Sequence, residues 1–117
     1  MLLKLKEEKP NLVGFAGLMP DQTKAGFYAW GLTDQEVKHF LAPEIAVHRS
    51  LTTLKLYSNS IGHEGAKALA EALRVNHTLV KLDLISYGIS GNYNIGDAGK
   101  EALREAVKGR AGFELRV

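Results

Sequence analysis

The sequence contains no cysteine, which excludes disulfide frameworks, zinc sites with thiolate ligands and cysteine nucleophiles. The same absence favours a reducing compartment. Long apolar runs are missing too, because charged residues interrupt every apolar stretch before it reaches the roughly eighteen residues of a membrane-spanning helix. The segment Met1–Lys9 carries charges where a secretory signal would be apolar. We therefore expect a cytoplasmic protein without a signal peptide or a membrane span.

The sequence also lacks a large excess of charge of either sign. Fifteen Lys and Arg against thirteen Asp and Glu leave a net charge of +2, and the basic residues are scattered along the chain. Because nucleic-acid-binding domains usually gather their basic residues in a patch, the sequence argues against a nucleic-acid partner. A length of 117 residues, with 45% apolar and 24% charged residues, fits one globular domain.

The chain contains an internal repeat. Four apolar residues return after 28 positions: Leu51, Leu54, Leu56 and Ile61 recur as Leu79, Leu82, Leu84 and Ile89. A glycine motif returns after 34 positions: Ile61-Gly62-x-x-Gly65 recurs as Ile95-Gly96-x-x-Gly99. The difference between the two offsets places about six extra residues of the second unit between Ile89 and Ile95.

Each unit combines a strand pattern with a helix pattern. Leu54–Tyr57 and Leu82–Ile85 alternate apolar and polar residues, as expected of short strands that are buried on one side. The stripe that follows has helical spacing, with apolar residues at Ala66, Leu69, Ala70 and Leu73. Asn76 is the predicted end of this helix, because Asn tolerates the left-handed backbone that ends many helices.

The pattern Leu-x-x-Leu-x-Leu-x-x-Asn-x-Ile over Leu51–Ile61, followed by the glycine motif and the helix, resembles the leucine-rich repeats of the ribonuclease-inhibitor type, which also occur in NOD-like receptors. The resemblance covers Ser50–Val107, about half of the chain. It implies an α/β fold, a short right-handed β-α solenoid with a parallel concave sheet and convex helices. It also implies that the concave face binds protein and that Asn59 caps backbone groups in its turn.

The flanks extend this repeat. Ala25-x-Phe27 lies 29 residues before Leu54-x-Leu56, and Thr33-x-x-Glu36 is a capping box that should begin a helix ending at Pro43. We divide the chain into an N-terminal capping segment, 1–20, and a leucine-rich-repeat domain, 21–117. The domain comprises units of about 22–50, 51–78 and 79–112 and a terminal strand, 113–117. Charged Lys100 and Arg104 replace the apolar pair of the preceding helix, so we expect a complete small solenoid, with a piece of a longer one as the alternative.

In a parallel sheet, side chains one repeat apart become neighbours. Three outward columns are therefore expected: Lys24, Thr53 and Lys81; Gly26, Lys55 and Asp83; Tyr28, Tyr57 and Ile85. The predicted protein-binding residues are Tyr28, Lys55, Tyr57, Lys81, Asp83 and Ile85, because aromatic anchors surrounded by polar groups are typical of interfaces. The alternative is a solvated sheet face with ordinary strand propensities.

Two further features carry a functional and a structural interpretation. Trp30 and Tyr87 occupy the position of Asn59 in their units, where they either pack against the core or contact a partner. The insertion includes Asn92 and Tyr93, which form a rim loop for a ligand or a tolerated insertion.

Motifs of catalysis are absent. The sequence has no phosphate-binding Walker pattern, no G-x-G-x-x-G, no G-x-S-x-G and no metal-ligand spacing among its four histidines. We expect His48, His63 and His77 to lie in exposed turns. We expect no catalytic residue, cofactor or metal. The predicted function is a non-enzymatic protein-protein interaction module that uses its concave face and rim loop. The alternative is a structural or self-assembling subunit, with a homodimer through the C-terminal edge strand.

Overall fold

Short strands and helices alternate along the chain in the computed structural model, which describes residues 19–27, 31–57, 59–85 and 95–117. Within these residues the strands are β1 (Lys24–Gly26), β2 (Thr53–Lys55), β3 (Lys81–Asp83) and β4 (Glu114–Arg116). The helical segments are α1 (Asp34–Glu36), π1 (Val37–Leu41), α2 (Ala42–Val47), α3 (His63–Val75) and α4 (Gly96–Val107). No helix among the described residues is long and apolar enough to cross a membrane.

The four strands form one parallel sheet in the order β1-β2-β3-β4. Ala25 pairs with Leu54, Leu54 with Leu82, and Leu82 with Leu115. The register between β2 and β3 therefore follows the 28-residue offset of the sequence repeat. The predicted α/β class with a parallel sheet is confirmed, and β4 lies within the predicted terminal strand, 113–117.

A continuous core lies between the sheet and the helices. The inward strand residues Leu54 and Leu82 are fully buried, together with the helical residues Leu69 and Leu73 of α3. The helices pack in sequence order, α2 against α3 and α3 against α4. Period-two strands and a period-3.6 helix thus bury their apolar residues against each other, as the sequence predicts.

The first helix begins as predicted but does not end where predicted. The Thr33 amide donates to Glu36 Oε1 at 3.0 Å, and the Glu36 amide donates to Thr33 Oγ1 at 3.4 Å, which completes the capping box. The predicted stop at Pro43 is wrong, because helical structure continues to Val47. In π1 the helical turn is wider than in an α-helix, because the Ala42 amide donates to the Val37 carbonyl five residues earlier.

The wider turn of π1 explains how a proline lies within this helical stretch. Proline has no amide hydrogen, and its ring would collide with the carbonyl four residues earlier in a regular α-helix. After the extra residue of π1, Pro43 falls in the first turn of α2, where a missing amide hydrogen costs little.

Close approach between neighbouring helices explains the second glycine of the repeated motif. A Cβ atom on Gly65 would lie 2.6 Å from Asp34 Oδ1 and 2.9 Å from Ile61 Cγ2. A Cβ atom on Gly99 would lie 3.2 Å from the Cβ of Ala66 in the preceding helix. Glycine at these positions therefore lets the start of each helix pack against the start of the one before it.

Some of the predicted features lie outside the described residues. These are nearly all of the capping segment 1–20, the aromatic residues Trp30 and Tyr87, and the insertion with Asn92 and Tyr93.

Candidate protein-binding face of the sheet

Every second strand residue points away from the core and forms what we call the outward face. One column of this face contains Lys24, Thr53, Lys81 and Glu114, and the other contains Gly26, Lys55, Asp83 and Arg116. Two of the three columns predicted from the repeat are confirmed, and β4 adds a fourth member to each. The third predicted column begins with Tyr28, which lies outside the described residues. Four strands thus bring together residues that are as much as 92 positions apart, from Lys24 to Arg116.

Opposite charges meet on the part of the outward face formed by β3 and β4. Lys81 Nζ lies 3.4 Å from Glu114 Oε2, and Arg116 Nη1 lies 3.4 Å from Asp83 Oδ2. Both pairs join residues that the strand register already places side by side. Two cations and two carboxylates therefore neutralise one another across these strands.

Asp83 has an internal role that the sequence did not predict. Its side chain is only 3% exposed, and its Oδ1 accepts a hydrogen bond of 3.0 Å from the Ile85 amide. Because its other oxygen faces Arg116, the carboxylate is bonded within the chain and fixes the backbone that leaves β3. Its contribution to a partner contact would be indirect, through the orientation of Arg116.

Lysines dominate the part of the outward face formed by β1 and β2. Lys24 and Lys55 are exposed, and neither makes an ion pair among the described residues. Tyr57 and Ile85 follow the ends of β2 and β3 and are half-buried. The structure thus places Lys55, Tyr57, Lys81 and Ile85 along two neighbouring strands, whereas Tyr28, Asn92 and Tyr93 lie outside the described residues.

Asn59 bonds backbone groups just beyond the ends of β1 and β2. The side chain is 2% exposed, and its amide donates to the carbonyl oxygens of Phe27 and Leu56. Its Oδ1 accepts a hydrogen bond of 3.0 Å from the Leu32 amide. One buried amide therefore joins two consecutive units at the edge of the sheet where the strands end.

At the opposite edge of the sheet, where a strand follows each helix, side chains bond the backbone in ways that the sequence did not predict. His48 Nδ1 accepts hydrogen bonds from the Ser50 and Leu51 amides, at 3.1 and 2.9 Å, and its Nε2 donates to the Met19 carbonyl. Because backbone amides only donate and carbonyls only accept, this arrangement requires the neutral ring with its hydrogen on Nε2. The prediction that His48 is simply an exposed turn residue is wrong, since the ring is half-buried and bonded on both sides.

Asn76 occupies the same place 28 residues later. Its Oδ1 accepts from the Thr78 and Leu79 amides, at 2.9 and 2.8 Å, and its side-chain amide donates to the Ile45 and His48 carbonyls, at 2.8 and 3.0 Å. Helix α3 ends beside it as predicted, but its backbone is extended (φ −79°, ψ 123°) instead of left-handed. The Asn therefore acts through its side chain.

Arg110 closes this series of turns, 34 residues after Asn76. Its Nη1 donates to the Leu73 carbonyl at 2.9 Å, its Nη2 donates to the Leu79 carbonyl at 2.6 Å, and its guanidinium lies 5.0 Å from the centre of the Phe113 ring. Burial lowers the pKa of the Arg110 guanidinium below its ordinary value. The 34-residue offset of the glycine motif was the available signal for this position.

The remaining histidines do not come together. His39 contacts Gln35, His63 begins α3 beside Glu64, and His77 is exposed. No group of three potential metal-ligating residues occurs in the described part of the chain. An open groove of about 470 Å³ runs between α2 and α3, and its alanine-rich floor is flanked by charged residues such as Lys38 and Glu71.

No family model matches this chain, and no curated protein matches it. Any assignment of function therefore depends on the repeat pattern of the sequence and on the geometry of the outward face.

Proposed function

We propose that the protein is a leucine-rich-repeat module of the ribonuclease-inhibitor type, and that the outward face is the concave face of a short right-handed solenoid. In this role the protein carries out no chemistry and recognises a protein partner. The sequential order of the parallel strands, the 28-residue register and the sequential packing of the helices support the proposal. The cysteine-free sequence fits a cytoplasmic location for such a module.

The observation that carries the proposal is the rigid support of the outward face. Buried or half-buried side chains bond the backbone on both edges of the sheet: Asn59 at the ends of the strands, and His48, Asn76 and Arg110 at the starts. A surface that is already ordered before binding loses little conformational entropy when a partner arrives. Such a surface favours recognition by shape and by complementary side chains.

Within this face, we assign contact area to Tyr57 and Ile85 and charge complementarity to Lys55 and Lys81. Tyrosine supplies a large, stiff contact surface, and lysine on a neighbouring strand position adds attraction for carboxylates. Tyr28 and the rim-loop residues Asn92 and Tyr93 belong to the proposed surface on the sequence pattern alone.

A peptide selection tests this function. Twelve-residue peptides are selected against the intact chain from a random display library, and their affinities are measured by fluorescence anisotropy for the wild type and for the Lys55→Ala/Tyr57→Ala variant. Loss of a central aromatic and its charged neighbour should weaken binding by about 2 kcal/mol, which is about thirtyfold.

The matched control is Lys67→Ala/Glu71→Ala, which removes two exposed side chains from α3 beside the helical groove. This variant should keep wild-type affinity. If the control loses binding while Lys55→Ala/Tyr57→Ala retains it, the binding surface is on the helices and the proposal is incorrect.

A second candidate function is self-association through β4, and a specific observation favours it. Among the described strands β4 pairs only with β3, and the apolar residues Phe113, Leu115 and Val117 around it are half-buried. An unpaired strand edge beside apolar side chains recruits other strands. Light scattering should then give a mass that rises with concentration, and Leu115→Pro or Val117→Asp should return the mass to that of a monomer. A monomer at every concentration contradicts this candidate.

A further inference from the structure

The outward face has an uneven distribution of charge. The strands β1 and β2 contribute Lys24, Gly26, Thr53 and Lys55, which sum to two positive charges. The strands β3 and β4 contribute Lys81, Asp83, Glu114 and Arg116, which sum to zero. The net positive charge of this face therefore lies entirely on its β1-β2 half.

Contacts between side chains make the difference in available positive charge between the two halves larger than the formal charges suggest. On the β3-β4 half each cation has a carboxylate 3.4 Å away, and one of these carboxylates, that of Asp83, is almost fully buried. On the β1-β2 half, Lys24 and Lys55 are exposed and have no carboxylate within ion-pair distance among the described residues. Their charge is thus directed to solvent and is available to a ligand.

The spacing of the two lysines fits an extended chain. They are diagonal neighbours on adjacent strands, two residues apart along the strand direction, so their Cα atoms lie about 8 Å apart for ordinary sheet spacings. Carboxylate side chains two positions apart on an extended segment are separated by about 7 Å. Two such carboxylates can therefore each approach one lysine.

We propose that the partner presents an acidic extended segment whose carboxylates lie over Lys24 and Lys55, while an uncharged, apolar part of it lies toward Tyr57 and Ile85. This inference depends on the proposed function, because it names the chemistry of the partner at the same face. A protein segment is favoured over nucleic acid, because two exposed lysines without an ion-pair partner among the described residues are few for a phosphate backbone. Half-buried apolar side chains also adjoin them.

Three labelled twelve-residue peptides test the inference by fluorescence anisotropy. They share leucine at four positions and carry glutamate, glutamine or lysine at the other eight. We expect the glutamate peptide to bind about tenfold more tightly than the glutamine peptide near 0.1 M salt. The difference should shrink near 1 M salt, where the screening length falls from about 10 Å to about 3 Å.

Charge reversal locates the interaction. Lys24→Glu/Lys55→Glu should weaken the glutamate peptide about tenfold or more, because attraction is replaced by repulsion at both positions. The matched control, Lys38→Glu/Lys67→Glu, makes the same change in net charge at exposed positions of the helical layer and should change affinity less than twofold. Far-ultraviolet circular dichroism checks that both variants keep the fold.

The alternative outcomes separate this inference from the proposed function. If the glutamine peptide binds as tightly as the glutamate peptide and Tyr57→Ala weakens both, the acidic partner is overturned and the protein-binding face stands. If sheet-face substitutions affect no peptide, both proposals are overturned.

Two further results would overturn the inference alone. One is equal weakening by the helical-layer control, which would mean attraction to net charge instead of a site. The other is tighter binding of a twelve-nucleotide DNA strand than of the glutamate peptide, which would make a nucleic acid the better ligand.

Discussion

Replacing Asn76 with alanine removes a side chain that joins two consecutive units. In the wild type this side chain is 2% exposed and bonds four backbone groups: it donates to the Ile45 and His48 carbonyls and accepts from the Thr78 and Leu79 amides. Alanine cannot replace any of these bonds. The four groups then lie at a site from which water is largely excluded, and each loses a partner.

The contacts give the size of the effect. A buried hydrogen bond contributes about 1 kcal/mol net, so four bonds amount to about 4 kcal/mol. Water that enters the space left by the side chain recovers part of this, and we expect a loss of about 3 kcal/mol. For 117 residues at about 2.1 cal/mol/K per residue, the unfolding entropy is about 0.25 kcal/mol/K, so Tm should fall by about 12 °C.

Urea unfolding followed by circular dichroism measures this loss. Asn76→Asp keeps the two accepting contacts but places an oxygen against two carbonyls, so it should destabilise the protein about as much as alanine does. His77→Ala changes an exposed neighbour and should alter stability by less than about 0.5 kcal/mol. A loss below about 1 kcal/mol for Asn76→Ala would refute the view that this side chain joins the units.

Two other substitutions test the packing of neighbouring units. Arg110→Lys should lower the free energy of unfolding in urea by about 1 to 2 kcal/mol, because one ammonium group cannot reach both carbonyls that the guanidinium bonds. Wild-type stability in this variant would contradict the role of Arg110. Gly65→Ala should lower the free energy of unfolding by about 1 to 3 kcal/mol in a thermal melt, because its Cβ would lie 2.6 Å from Asp34 Oδ1. The control Lys67→Ala changes an exposed side chain and should lower it by less than about 0.5 kcal/mol. Equal effects at the two positions would argue against close helix packing at Gly65.

The sequence predicts the strands and their register well, because both depend on apolar periodicity. Residues 28 positions apart, such as Leu54 and Leu82, have the same burial and lie side by side. The capping box at Thr33 is equally local, since it involves one hydroxyl and a carboxylate three residues away. Patterns that a single unit contains, or that recur at one offset, are thus readable without the structure.

The missed features depend on contacts that no local pattern encodes. Continuation of the helix past Pro43 requires the wider turn of π1, which adds one residue before the proline. The carboxylate of the buried Asp83 pairs with Arg116, 33 residues away on a neighbouring strand, and no pattern within one unit predicts this contact. Arg110 occupies the position that Asn76 has in the preceding unit, but the two side chains are chemically different. The position therefore follows the repeat, whereas the residue type does not.

Amide chemical-shift mapping locates the surface of the protein that a peptide contacts. The ¹⁵N-labelled protein is titrated with the tightest peptide from the display selection. If the partner binds the outward face, the largest shifts fall on β2 and β3 and on Tyr57 and Ile85 just beyond them. Shifts concentrated along the groove between α2 and α3, with the strands unchanged, would contradict binding at this face.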